Sequence, residues 1–271
     1  MAGRQPKVMA SVGRRATGKS YENIDMIYEY ITTDVANNRN GRKCLILDIN
    51  NEFSNFEFKG QRHSIKRLAI ADIKRFTLHK SIEVRRIAPF KDDNTMLKDD
   101  DMSKLMMLIL KYFRNGLIYL EDINGIFGDN IPPEFISALA RARHLGLDMI
   151  FSFQGIGRLG HPKILSNTNV LRLHKTLDSV ARHGDKFKEK IDILSIAENI
   201  VNARYLVGAR NKDINQYFHL YVDIDLNKIQ VGRNPFTYQE AVLAIDKDVK
   251  TMAKKRGSIA ELSKEFLDEY F

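Results

Sequence analysis

Residues 13–20 read Gly-Arg-Arg-Ala-Thr-Gly-Lys-Ser and match the pattern G-x-x-x-x-G-K-[ST] at every defined position. An apolar run, Lys7–Val12, precedes this stretch, and apolar residues at helical spacing follow it from Ser20 to about Ala36. The two glycines let the backbone curl so that successive N–H groups point inward, and the following helix adds the positive end of its dipole. A strand, a glycine loop and a helix in this order predict a phosphate-binding loop.

The loop also predicts which residues contact a nucleotide. We expect Lys19 to reach the β- and γ-phosphates and the Ser20 hydroxyl to bind Mg²⁺, so ATP and Mg²⁺ are the expected cofactors. The predicted nucleotide-binding residues are Gly13, Arg14, Arg15, Ala16, Thr17, Gly18, Lys19, Ser20 and Tyr21.

Strands and helices alternate outward from the loop as far as about residue 175. Such strand–crossover–strand units imply a mainly parallel α/β sheet flanked by helices, with ligands at the carboxyl ends of the strands. The predicted strands are Lys7–Val12, Cys44–Asp48, Val84–Pro89, Gly116–Asp122, Asp148–Gln154 and Asn169–His174. The further predicted helices are Leu68–Phe76, Met102–Phe113 and Pro133–His144.

The pattern changes after residue 175. We therefore predict a core at 1–175 and a helical and β-hairpin appendage at 176–271 that packs on the core. Its predicted elements are a charged helical stretch Asp178–Lys190, a helix over about Ile193–Val207, a hairpin of Tyr217–Asp225 with Ile229–Gly232, and helices over about Thr237–Lys255 and Ser258–Tyr270.

Composition narrows the class of protein. The 271 residues are 44% hydrophobic, which suits a folded domain, and the only cysteine, Cys44, excludes a disulfide framework or a cysteine-based zinc cluster within one chain. No apolar run approaches the roughly 20 residues that cross a bilayer, and the first residues lack the apolar core of a signal peptide. We expect a cytoplasmic protein without membrane insertion. Its formal charge of +9 favours a polyanionic partner.

Two strand ends carry candidate catalytic residues. The apolar strand Leu117–Leu120 closes on Glu121 and Asp122, one of which would hold Mg²⁺ while the other polarises the attacking water. Glu121, with Ser20, is the predicted Mg²⁺ ligand. Gln154 follows the strand that we expect between the loop strand and the Glu121 strand, where its amide would contact the γ-phosphate and the water.

Four segments in this order resemble the HerA/FtsK superfamily of DNA-pumping P-loop ATPases. They are the loop 13–20, the stretch Leu45–Phe53 with its D-x-x-(G)-E-(Y/F) pattern, the strand 117–122, and the helix–strand–Gln stretch 140–154. In the second, Asn51 stands where glycine is common. The resemblance covers roughly residues 7–175 and implies a RecA-like (ASCE) P-loop NTPase fold.

The resemblance further implies a homo-oligomeric ring, usually a hexamer, with nucleotide between subunits and DNA through the pore. An arginine from the neighbouring subunit would complete each site; the candidates are Arg143 and Arg141, with Arg172 behind them. Translocating ATPases usually have Asp then Glu at the acidic strand end. Here the order is reversed, so the division of roles between Glu121 and Asp122 stays open. The predicted catalytic residues are Lys19, Glu121, Asp122, Gln154 and Arg143.

Basic residues cluster in two segments, 61–90 with a net charge of +6 and 155–190 with +5. Such clusters suit sequence-independent contacts with the phosphate backbone of DNA, although solvated helix faces are the alternative. Because the chain is small, viral genome packaging is the favoured function, with a portal, capsid or membrane-vertex protein as a further partner. The alternatives are a Zot-like filamentous-phage assembly ATPase, then a small-molecule kinase or a non-hydrolysing nucleotide-binding module.

Overall fold

The computed structural model describes residues 6–36, 40–88, 97–122, 133–159 and 162–230, together with residues 90, 91, 93 and 95. The chain divides into two compact units. The first contains the described residues up to Met9 and Ser20–Phe153, and the second contains Ala10–Lys19 and the described residues from Gln154 onward. This division does not test the predicted boundary near residue 175, which stays a prediction.

Within the described residues, eight strands form a main sheet and two more form a separate ribbon. The strands are β1 (Val8–Val12), β2 (Lys43–Leu47), β3 (Phe56–Phe58), β4 (Gln61–His63), β5 (Val84–Ile87), β6 (Gly116–Leu120), β7 (Asp148–Phe153), β8 (Val170–Leu173), β9 (Leu220–Asp223) and β10 (Lys228–Gln230). The α-helices are α1 (Lys19–Ile31), α2 (Ile73–Leu78), α3 (Asp99–Tyr112), α4 (Pro133–Arg141), α5 (Ile156–Leu159), α6 (Pro162–Leu165), α7 (Gly184–Phe187) and α8 (Ile191–Asn211).

In the first unit the strand order is β1-β7-β6-β2-β5, and the pairs β7–β6, β6–β2 and β2–β5 are parallel. The predicted mainly parallel sheet flanked by helices is confirmed, and β7 lies between the loop strand and the Glu121 strand as predicted. Both faces are covered, so β6 and most of β2 are buried continuously. The Cys44 thiol is fully buried, and this burial raises its pKa.

Asp148 fixes the start of β7 in the first unit. Its carboxylate accepts hydrogen bonds from the Lys7 backbone N–H at 2.7 Å and from the Tyr30 hydroxyl at 2.6 Å, and it pairs with Arg42 at 3.1 Å. The side chain is buried, so these donors replace the water it loses.

In the second unit the strand order is β1-β8-β9-β10. Both β8–β9 and β9–β10 are antiparallel, so the predicted hairpin is confirmed and continues the main sheet. Helix α8 buries a stripe that includes Ile193, Ile196 and Ile200. The predicted charged helical stretch 178–190 is helical but divided into short segments: a 3₁₀ helix at Val180–His183, then α7, then a 3₁₀ helix at Lys188–Lys190, where Lys188 has a φ of +44°.

Several element boundaries differ from prediction. The β3–β4 ribbon was not predicted; its turn residues Lys59 and Gly60 have φ of +49° and +72°. Helix α2 begins at Ile73 rather than Leu68, because the Leu68 N–H donates to the Arg86 carbonyl and keeps that residue extended. Helix α1 ends at Ile31. The two helices predicted after residue 236 lie outside the described residues.

No helix in the described part of the chain is long and apolar enough to cross a membrane.

Candidate nucleotide-binding site

The predicted phosphate-binding loop follows β1 and adopts a tightly curled backbone. Ala16 and Gly18 have φ of +60° and +83°, the left-handed region in which glycine is least strained. A Cβ on Gly13 would lie 2.6 Å from the Cβ of His174, so only glycine fits there. The Thr17 hydroxyl donates to the Arg14 carbonyl at 2.8 Å and closes the loop.

Lys19 is the first residue of α1, and its ammonium is held over the loop. The Nζ atom donates to the carbonyls of Gly13 and Arg14, the latter at 2.7 Å. The N–H of Arg14 donates in turn to the Lys175 carbonyl after β8 at 2.7 Å, which ties the loop to the sheet. A positive charge at the mouth of a loop at a helix N-terminus suits a phosphate.

The remaining predicted loop residues differ in exposure. Arg15 and Ala16 are exposed, and Ser20 is half-buried. The exposed ring of Tyr21 packs against Phe58 of β3, with ring centroids 4.8 Å apart.

Two histidines, the buried His174 and the half-buried His219, lie behind the loop in the second unit. His174 Nδ1 donates to the Thr17 carbonyl at 2.9 Å, and its ring lies 4.8 Å from that of His219. Burial, followed by the positive charge of Arg172, lowers the pKa of His174 and lowers that of His219 to about 4. Both imidazoles are therefore neutral near pH 7, so they add no cationic charge behind the loop.

Glu121 follows β6 and is buried among other carboxylates in the first unit. Its exposed fraction is 5%, and its Oε2 atom is buried without a hydrogen-bond partner. Burial is the largest cause that raises the Glu121 pKa to about 9, followed by the negative charges of Glu52 and Asp48, a hydrogen bond to Glu52, and the charge of Asp122. The unsatisfied oxygen and the neighbouring negative charge make Glu121 a candidate cation ligand, but within the described residues no three His, Cys, Asp or Glu side chains are placed to hold a metal ion together.

Asp48 follows the neighbouring strand β2 and organises the turn that presents Glu52. Its carboxylate accepts from the N–H groups of Glu52 at 2.8 Å and Phe53 at 3.1 Å, and from Arg86 at 3.1 Å. Burial raises the Asp48 pKa, and these donors oppose the rise. Asn51 has a left-handed φ of +56°, which explains why glycine suits this position and why asparagine can replace it.

Glu52 is a candidate site residue to which the sequence analysis gave no role. It is exposed and hydrogen-bonds Glu121. The available signal was its place four residues after Asp48, since Asp48 and Glu121 follow adjacent parallel strands paired at Leu47 and Leu120.

Asp122 and Gln154 also follow strand ends. Asp122 is half-buried and has a left-handed φ of +42°. Gln154 is half-buried directly after β7. The residues after it are anchored, because Asp178 accepts from the N–H groups of Ile156 at 2.9 Å and Gly157 at 2.8 Å. The Gln154 backbone therefore sits on a fixed turn.

The three arginine candidates for a neighbouring site have different surroundings. Arg141 is exposed in the last turn of α4. The side chain of Arg143 lies outside the described residues. Arg172 is fully buried on β8, and its Nη2 atom donates to the Ser11 hydroxyl at 3.1 Å. The prediction for Arg172 is therefore wrong, since a buried side chain cannot reach another subunit.

The two basic segments are only partly available to a ligand. Arg86 and Arg172 are buried, so neither can contact DNA. Lys175 and Lys190 are half-buried and donate to Asn202 and to the Ile224 carbonyl. The exposed basic residues of the two segments are Arg62, Lys66, Lys74, Arg75, Lys80, Arg158, Lys163, Arg182, Lys186 and Lys188.

The candidate residues thus fall into two groups. In the second unit are the loop residues 13–18, Lys19 and Gln154. In the first unit are Ser20, Tyr21, Glu121 and Asp122, with Glu52 and Asp48 beside Glu121.

Two complexes of one viral protein share this fold. The genome packaging NTPase B204 from Sulfolobus turreted icosahedral virus 2 in complex with ATP-γS has 18% sequence identity and a TM-score of 0.54, over 86% of this chain and 100% of that chain. The same protein in complex with AMP has 18% identity and a TM-score of 0.53, over 85% and 99%. The N-terminal domain of zonular occludens toxin from Neisseria meningitidis has 13% identity and a TM-score of 0.35, over 62% and 76%.

No protein-family model matches the sequence, and no curated protein matches it. The similarity to the two complexes of the packaging NTPase confirms the predicted resemblance to P-loop packaging ATPases at the level of the fold, which is the RecA-like α/β fold.

Proposed function

We propose that this protein is an ATP-hydrolysing motor that moves DNA, and that its task is viral genome packaging. The proposal is carried by the loop 13–20, which lies between a strand and a helix of a fold shared with a viral genome packaging NTPase over 86% of the chain. The complex of that neighbour with ATP-γS supports a nucleoside triphosphate as the ligand here.

Each candidate residue has a role in this proposal. The N–H groups of the loop and Lys19 hold the phosphates. Ser20 and Glu121 would hold Mg²⁺, which would offset the charge of the phosphates and of the carboxylates around Glu121. Asp122 accepts the proton of the attacking water, and the Gln154 amide orients that water.

DNA is the proposed cargo, gripped through its phosphates in the pore of a homo-oligomeric ring. The exposed basic residues of segments 61–90 and 155–190 supply the contacts, which read no sequence and weaken with salt. Arg141, exposed at the end of α4, is the described candidate that completes the site of a neighbouring subunit. A portal, capsid or membrane-vertex protein is the proposed docking partner.

The test is ATP hydrolysis by the purified protein with and without long double-stranded DNA, at low and moderate salt. We expect turnover that DNA stimulates several-fold and that moderate salt returns toward the basal rate. Lys19→Ala should abolish turnover by removing the phosphate counter-charge, whereas Lys104→Ala, at an exposed position on α3 outside both basic segments, should behave as wild type.

Two results would contradict the proposal. If DNA does not change the rate of ATP hydrolysis, the protein is an NTPase and not a DNA motor. If Lys19→Ala hydrolyses ATP at the wild-type rate, the loop takes no part in the reaction.

A further inference from the structure

Tyr217 is an exposed aromatic residue that lies against the phosphate-binding loop within the second unit. It ends a short 3₁₀ turn, Ile214–Tyr217, and its exposed fraction is 44%. A Cβ placed on Gly18 would lie 3.5 Å from the Tyr217 Cβ and 3.6 Å from its Cδ1. The ring therefore lies beside Gly18, at a distance where a Cβ on that residue would be in ordinary van der Waals contact with it.

The turn that carries Tyr217 is held rigidly. The Asp213 side chain caps it by accepting from the Asn215 N–H at 2.8 Å. On α8, a Cβ at Gly208 would lie 2.1 Å from the backbone nitrogen of Gln216, so the turn rests directly on the helix backbone. The Tyr217 ring is therefore positioned by the fold before any ligand binds, which lowers the entropy cost of a contact.

A second tyrosine contacts the other end of the loop. Arg14 lies over the ring of Tyr205 on α8, with its Cζ 5.4 Å from the ring centroid. The face of Tyr205 is thus used to hold a loop residue, whereas nearly half of the Tyr217 side chain faces solvent.

We propose that Tyr217 is the stacking platform for the nucleobase of the nucleotide bound at the loop. The inference rests on the proposed function, in which the loop N–H groups and Lys19 hold the phosphates. The sugar and base of that nucleotide then extend beyond the loop, and an exposed ring fixed beside Gly18 offers the π-face on which a base stacks. Every base has such a face, so this contact adds affinity for nucleotides over free polyphosphate.

The test compares the binding of ATP, supplied as its slowly hydrolysed analogue ATP-γS, and of inorganic triphosphate by isothermal titration calorimetry in the presence of Mg²⁺. Triphosphate carries the phosphate groups without a base. We expect Tyr217→Ala to weaken ATP binding about tenfold and to leave triphosphate binding within about twofold of wild type. Tyr217→Phe keeps the ring and should retain wild-type affinity for ATP. Leu206→Ala, at an exposed position on α8, is the matched control and should change neither ligand.

The outcomes separate this inference from the proposed function. If Tyr217→Ala binds ATP with unchanged affinity, or loses equal affinity for ATP and triphosphate, Tyr217 does not stack on the base. Lys19→Ala should weaken both ligands, because it acts on the phosphates. If wild type binds neither ligand, or if Lys19→Ala binds both normally, the proposed nucleotide site itself fails.

Discussion

Of the two candidate catalytic acids, Glu121 and Asp122, Glu121 has the more buried side chain. A buried carboxylate without a partner on Oε2 and with Glu52, Asp48 and Asp122 around it is costly to ionise, so it keeps its proton until its pKa of about 9. A divalent cation reverses this cost, since it supplies the opposite charge. Asp122 is half-buried and carries the other carboxylate of the pair.

The two acids are therefore expected to give different variants. Glu121→Gln should weaken Mg²⁺-dependent ATP binding together with turnover, because it removes a metal ligand. Asp122→Asn should lower turnover at least about a hundredfold and keep ATP bound, because it removes only the proton acceptor. Single-turnover measurements of bound and hydrolysed ATP distinguish the two variants. Glu57→Gln, an exposed glutamate of β3, is the control. If Glu121→Gln, rather than Asp122→Asn, keeps ATP bound without hydrolysing it, Glu121 is the proton acceptor and Asp122 is the metal ligand.

At the scale of single residues, the sequence predicted which residue types form the site better than it predicted which side chains contact one another. The match at 13–20 required both glycines, and the positive φ of Gly18 and the closeness of His174 to Gly13 give the physical reason. The contact between Glu52 and Glu121 could not be predicted, because it depends on the strand register. Arg172 looked like a free cation in the sequence, but the side chain of a strand residue can point into a buried layer.

Among the elements, β8 and β9 determine how the second unit responds to acid. His174 follows β8 and His219 precedes β9, and these strands pair at Leu173 and Leu220, so the two imidazoles stack where the strands meet. Protonation of either ring is unfavourable, because His174 is buried and His219 half-buried, and both lie near the positive charge of Arg172.

Unfolding should therefore become easier as the pH falls below about 6.5. The unfolded chain protonates His219 near its ordinary pKa of 6.5, whereas the folded protein does so only near 4, so the unfolded state binds more protons between these values. For this group alone the loss in unfolding free energy at pH 5 is about 2 kcal/mol. Glu121 acts in the opposite direction, because its raised pKa weakens the fold as the pH rises from 4.5 toward 9.

A comparison of variants isolates the histidine contribution. Urea unfolding at pH 7.5 and pH 5 should show a smaller loss of stability for His219→Gln than for wild type, by about 2 kcal/mol. His79→Gln, at an exposed position, should follow wild type. Equal pH dependence in all three proteins would contradict the assignment.

Element order was predictable because periodicity and turn residues are local signals. The loop strand, the Glu121 strand and β7 between them follow from apolar runs with polar ends. The β3–β4 ribbon was missed because its strands have three residues each and depend on Phe58 packing against Tyr21 and Tyr28. The charged helical stretch predicted at 178–190 forms short helical segments rather than one continuous helix, and Glu198 holds its start by accepting the Val180 N–H at 3.1 Å.

At the scale of the whole molecule, the proposed ring predicts that two neighbouring subunits complete each site. Mixed oligomers test this prediction. Lys19→Ala and Arg141→Ala should each abolish turnover, the first in its own site and the second in the neighbouring site. Mixed rings then regain sites in which one subunit supplies Lys19 and its neighbour supplies Arg141, about a quarter of the interfaces for random mixing of equal amounts. Steady-state ATP hydrolysis after mixing measures the recovery.

The control mixes Lys19→Ala with a chain that carries both substitutions, in which no interface can be complete. No recovery in the first mixture, with mixed oligomers verified by co-purification of two differently tagged variants, would place Arg141 outside neighbouring sites.

The burial of Cys44 gives this protein a clean background for chemical labelling. A thiol reacts as its thiolate, and the only thiol in the sequence is enclosed in β2 with a raised pKa, so thiol reagents meet no accessible native thiol while the fold is intact. One cysteine introduced at an exposed site such as Leu226 would then carry a fluorophore at a single defined place. Subunit exchange and motion during turnover become observable in the otherwise native sequence.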